Sequence, residues 1–70
     1  MEIFLIENEN GNRWTNTYID DDIIHGNILL GWDVDVYKAD IPDQTFDENF
    51  DFTQIDIDSI DWTFVESHHA

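Results

Sequence analysis

The sequence predicts a mainly β domain, with α+β as the alternative: a small twisted antiparallel sheet of four to five strands with at most one short helix or structured loop. Three observations predict it. Trp32-Asp33-Val34-Asp35-Val36-Tyr37 alternates apolar and acidic residues with the period of two that marks a strand with one buried and one wet face. Ile55-Asp56-Ile57-Asp58 repeats that alternation near the C-terminus. Asn10-Gly11 stands between two segments rich in strand formers, the strongest short-range hairpin signal.

Seventy residues and 8.3 kDa are enough for a single domain over 1–70 and leave no room for a second core. At 41% hydrophobic and 14% aromatic, the chain is too apolar for a disordered acidic tail. There is no cysteine, which excludes a disulfide framework and a thiolate metal site. The first residues do not read as a secretion signal, and no apolar run approaches the length of a membrane span. The expectation is a cytoplasmic protein.

Taken in order, Glu2–Glu7 reads as a first strand, and Asn8 to Asn12 as a turn. Arg13–Ile19 reads as the returning strand. This near-neutral hairpin, residues 1–19, is expected to be scaffold. Asp20-Asp21-Asp22 reads as a loop or corner, because three consecutive carboxylates cannot be buried. Ile23-Ile24 and Ile28-Leu29-Leu30 read as strand material flanking a turn or bulge at His25-Gly26-Asn27. Gly31 then makes a bulge or tight bend before the strand from Trp32 to Lys38. One long bent strand from Asn27 to Lys38 is the alternative. Pro42 breaks the pattern, and Asp43 is a fair N-cap for one or two helical turns over Gln44–Asn49 that would place Phe46 and Phe50 on the core. A structured loop is the alternative there. Phe52–Ile57 resumes alternation, Asp58-Ser59 turns, and Ile60–Val65 alternates again, with a helix from Ser59 as the competing reading. Ser67-His68-His69-Ala70 reads as a frayed tail.

The charge is the outlier. Seventeen acidic residues against Arg13 and Lys38 leave a formal net charge of −15. Two carboxylates at i and i+2 on a strand stand about 6.6 Å apart and repel by about 0.6 kcal/mol in water. Repeated along a chain, that repulsion becomes comparable to the stability of a small domain. The acids are also unevenly placed: residues 1–19 hold three and residues 20–70 hold fourteen. General solubility or adaptation to salt would spread them, so the pattern points to an acidic working surface.

Chemistry of other kinds finds little support. No nucleophile elbow, phosphate loop or Ser-His-Asp set is present, and carboxylates facing open water lack the burial that separates acid from base, so no enzyme is expected. Asp47-x-Asn49-x-Asp51, with Asp58 at the twelfth position, begins like a calcium loop. Phe52 stands where that loop needs glycine, so no metal or other cofactor is expected. Two basic residues cannot neutralise phosphates, which excludes direct nucleic-acid binding; the aromatics are core, with one or two left as interface anchors.

The same charge fits the opposite partner. Carboxylates on alternate strand residues form rows at intervals similar to those of successive phosphates. They would be steered into a basic cleft built for nucleic acid. The expected contacts are Asp33 and Asp35 first, then Asp56, Asp58 and Asp61. Asp40, Asp43, Asp47, Glu48 and Asp51 would contribute from the irregular segment, and Asp20, Asp21 and Asp22 from the corner. In size, charge and strand-borne acids the chain resembles the phage-type DNA-mimic inhibitors: anti-CRISPR, anti-restriction and uracil-DNA glycosylase inhibitor proteins. The resemblance covers general character and no motif, so it transfers no residue roles. It implies a monomer or weak dimer in the host cytoplasm that blocks the DNA or RNA site of a CRISPR effector, restriction enzyme or repair enzyme, without a cofactor. The alternatives are an antitoxin or immunity-type protein neutralising a basic toxin, and an accessory domain whose charge serves solubility.

Overall fold

The computed structural model describes residues 1–41 and 56–70. Among them run strand β1 (Glu2–Asn8), strand β2 (Arg13–Asn16), helix α1 (Asp21–Leu29), strand β3 (Val34–Asp40), a 3-10 turn (Ile57–Ser59) and strand β4 (Thr63–His68). The strands form one antiparallel sheet in the order β2-β1-β3-β4. Among the described residues the architecture is thus mainly β with one short helix, the fold class expected.

β1 lies inside the sheet and is apolar on both faces, which is why Ile3, Leu5 and Ile6 do not follow a simple alternation. Ile6 faces α1 and forms the core with Ile24, Val34 and Val36, flanked by Trp14, Ile19, Ile23 and Ile28. Ile3, Leu5 and Ala39 are buried on the opposite face. There the segment carrying Ile57, Ile60 and Trp62 borders a cleft with Leu5 and Tyr37. The Trp62 indole N–H donates to the Ile57 carbonyl at 2.9 Å, folding that segment over itself.

The largest departure from expectation is at 20–31, where the chain is helical. Asp20 is the N-cap: its carboxylate accepts from the amides of Asp22 at 3.0 Å and Ile23 at 3.4 Å. Asp21 and Asp22 occupy the first turn, where the positive end of the helix dipole favours them. The three aspartates are thus a helix start and not a loop. Gly31, at φ +83°, closes the other end: its amide bonds the Ile28 carbonyl and that of Trp32 bonds the Asn27 carbonyl, both at 3.0 Å, in a Schellman arrangement. Neither the Ile23–Leu30 strands nor the long bent strand forms. The β propensity of three isoleucines yields to a cap at each end and to burial of Ile24 and Asn27.

A buried amide pair joins this helix to the hairpin. Asn8 and Asn27 are 4% and 5% exposed, and Asn8 Nδ2 donates to Asn27 Oδ1 at 2.9 Å. Asn27 Nδ2 in turn donates to the Ile23 carbonyl, and Asn8 Oδ1 accepts from the amides of Asn10 and Asn12. One side chain therefore shapes the β1–β2 turn, where Gly11 takes φ +86°, and anchors the helix. β2 ends at Asn16, and Ile19 packs on the core beyond it.

The C-terminal readings also shift. Asp58-Ser59 belongs to the 3-10 turn, not to a two-residue hairpin, and the final strand is Thr63–His68 in place of 60–65. Val36 pairs with Glu66 and Tyr37 with Phe64, so Val65 is the extra residue of a bulge. Ser67 and His68 pair with Asp35 and Val34, so the expected frayed tail is strand at both residues. The helical turns at 44–49 and the strand residues 52–55 lie outside the described residues.

Candidate functional site

The β1–β3 register determines where the acids meet. Glu7 stands directly opposite Asp35. The ladder continues one step further, with the Glu9 amide donating to the Asp33 carbonyl at 3.0 Å and the Asp33 amide to Glu9 Oε1 at 2.9 Å. By strand parity, Glu7, Glu9, Asp33 and Asp35 share the sheet face turned away from α1, two by two. Opposite residues on such a ladder stand about 5 Å apart. At that separation the Glu7 and Asp35 charges repel by about 0.8 kcal/mol in water, roughly halved at physiological ionic strength.

Donors on both flanks hold this grid in place. On the β2 side, Arg13 pairs with Glu7 in register; its Nε lies 2.6 Å from Glu7 Oε2 and its Nη1 2.9 Å from Asp58 Oδ1. The hydrogen bond to Glu7, then that to Asp58, raises the Arg13 pKa above its usual value, so the guanidinium stays charged. On the β4 side, the Ser67 hydroxyl donates to Asp35 Oδ1 at 2.5 Å. The Ala70 amide donates to Asp33 Oδ1 at 2.8 Å, and His69 Nδ1 lies 3.5 Å from Asp33 Oδ2. The Ala70 amide bond lowers the Asp33 pKa against an opposing desolvation effect, with His69 adding to the lowering. Tyr37, on the same face, has its phenol pKa raised by burial first and then by the charges of Asp35 and Glu7.

Beside the grid is an open cavity of about 530 Å³, bordered by Glu7, Glu9, Arg13, Asp33, Asp35 and His69. No group of three or more potential ligands among the described residues is arranged to hold a metal ion. The shift at Asp33 favours its ionised form, so this carboxylate presents fixed negative charge.

Of the expected contact residues, the fold brings Asp33, Asp35 and Asp58 together. Asp56 and Asp61 are exposed on the turn segment next to Asp58, which is not the strand expected there. Asp40 is separate, at the far end of β3, with its carboxylate 3.3 Å from the Met1 amino group. Asp20, Asp21 and Asp22 belong to the helix layer, at the end of α1 away from Asn27 and its bond to Asn8. A single continuous row through all the acids is thus ruled out by the described residues. Asp43, Asp47, Glu48 and Asp51 lie outside them.

Glu7, Glu9 and Arg13 were missed because the hairpin reads as neutral scaffold. Their signal was the i, i+2 spacing of Glu7 and Glu9 across the start of the turn, legible only once β1 is known to pair with β3.

The fold and site define a class: a small mainly β domain with hydrogen-bonded carboxylates gathered at one end of a sheet face. Comparison with protein-family models, curated proteins and solved structures found no match. Among the described residues no helix is long and apolar enough to cross a membrane.

Proposed function

We propose that this chain is an acidic mimic of nucleic acid. It binds a basic nucleic-acid-binding protein and blocks its DNA or RNA site by occupation, with no chemistry of its own. The observation that carries the reading is the two-by-two grid of Glu7, Glu9, Asp33 and Asp35, whose members are held by Arg13, Ser67 and backbone amides. A fold that needed only solubility would gain nothing from seating like charges opposite one another. Pre-oriented carboxylates at intervals of about 5–7 Å suit the arginine and lysine rows of a phosphate-binding cleft and lose little entropy on contact. By its charge and size the chain fits a phage-encoded inhibitor of a bacterial defence system, of the anti-CRISPR or anti-restriction kind, acting in the host cytoplasm.

The test is capture from a bacterial cytosolic lysate at low and high salt, followed by competition with duplex DNA. A partner that is released by salt, displaced by DNA and lost to the Glu9→Gln/Asp33→Asn/Asp35→Asn variant supports the reading. Full inhibition of the partner by that variant overturns it. Neutralisation of a basic toxin is the second reading, favoured by Phe64, which is 56% exposed on β4 with its ring edge-on to Tyr37 at 5.9 Å. Phe64→Ala would then cost more affinity than the acid substitutions.

A further inference from the structure

The helix layer carries a feature the carboxylate grid does not explain. Trp14, Ile23, Gly26, Leu30 and Trp32 line an open groove of about 250 Å³, with Asp22 at its border. Leu29 and Leu30 beside it are 73% and 65% exposed, and neither indole N–H of Trp14 and Trp32 has a hydrogen-bond partner among the described residues. Gly26 is interior to α1, where glycine weakens a helix relative to alanine. A Cβ added there would meet nothing within 4 Å among the described residues, so their packing supplies no reason for glycine. A bare Cα on a helix surface is what close approach by another molecule requires.

The charge around the groove selects among occupants. The side-chain carboxylates of Asp21 and Asp22 have no hydrogen-bond or ion-pair partner among the described residues. Indole faces attract cations. Anionic membranes and nucleic acids are repelled by a chain of net charge −15, and a second copy would bring that same charge with it.

We propose that this groove docks a cationic amphipathic segment of a protein partner. An apolar side chain seats over Gly26 between the indoles, and an adjacent arginine or lysine reaches Asp22 and Asp21. The choice of a basic partner rests on the function proposed above. The groove itself is on the other layer of the domain, so the two surfaces can be tested apart.

The probe is the peptide acetyl-Leu-Arg-Leu-Arg-amide, titrated into isotope-labelled protein and followed by the amide and indole N–H resonances. Saturable shifts at Trp14, Trp32, Ile23 and Gly26 are expected, with a control carrying glutamine for arginine binding about tenfold more weakly, a difference of about 1.4 kcal/mol. Gly26→Ala should raise the melting temperature yet weaken the peptide about tenfold, and Asp22→Asn should remove most of the salt dependence. Unchanged affinity in Gly26→Ala overturns the proposal, as does equal binding of the glutamine control or self-association through the groove. Shifts confined to Glu7, Glu9, Asp33 and Asp35 overturn the groove while leaving the grid reading intact. Shifts confined to the groove support it even if the acid variant above inhibits fully and the function reading fails.

Discussion

Neighbouring residue pairs of the β1–β3 ladder have opposite effects on stability. On the helix side, Ile6 pairs with Val36 and both are buried; one residue further along, on the other side, Glu7 pairs with Asp35. The first pair removes apolar surface from water and stabilises the sheet. The second sets two like charges face to face and destabilises it. Adjacent positions on the same two strands thus carry opposite contributions to stability.

Substitutions on the helix side should break that division most severely. Ile6→Ala, at a site 3% exposed, should cost about 3 kcal/mol in urea unfolding, enough to leave a domain of this size largely unfolded under mild stress. Asn27→Ala leaves the buried Asn8 amide without its acceptor and should cost about 2 kcal/mol. It should also broaden the amide resonances of the 8–12 turn. Asp20→Ala removes the helix cap and should lower stability by about 1 kcal/mol, read as lost helical circular dichroism.

On the acidic face the sign should reverse. Asp35→Asn is expected to stabilise the protein by about 0.5 kcal/mol at low ionic strength, with the gain shrinking as salt is added. A loss of stability would mean that the Ser67 hydrogen bond outweighs the repulsion from Glu7.

The smallest effect concerns pH. The Asp33 carboxyl has its pKa lowered in the folded state, so its contribution is present above the ordinary aspartate range and fades as pH falls through the folded pKa. Asp33→Asn should flatten that part of the acid limb of a stability profile. Tyr37 runs the other way: its raised pKa means stability lost as pH climbs above about 10. Tyr37→Phe should remove the most alkaline component of the phenolate absorbance titration.

Much of the fold was legible because β1, the 8–12 turn and the strand through Val34 and Val36 carry strong local patterns. The helix was not, because its isoleucines match strand propensity and its signals are caps, which in the sequence alone look like a loop at Asp20–Asp22 and a bend at Gly31. That misreading also hid the site. With 23–30 taken as strands, nothing indicated that β1 and β3 are neighbours. Glu7 and Glu9 therefore read as part of a scaffold hairpin, apart from Asp33 and Asp35, which they face across the ladder. Asp58 reaches the grid through Arg13 from a 3-10 turn, not along a second acidic strand.

The sequence by itself determined the class of fold, the extreme charge and the alternation that puts Asp33 and Asp35 on one face, because composition and a period of two are local properties. Only the tertiary structure decided that these acids face Glu7 and Glu9, that Arg13 joins Glu7 to Asp58, and that Asp20 caps a helix on the other layer whose first turn holds Asp21 and Asp22. Those are consequences of strand register, which is set by burial of Ile6, Val34 and Val36 against Ile24 and by the Asn8–Asn27 pair, contacts between residues far apart along the chain.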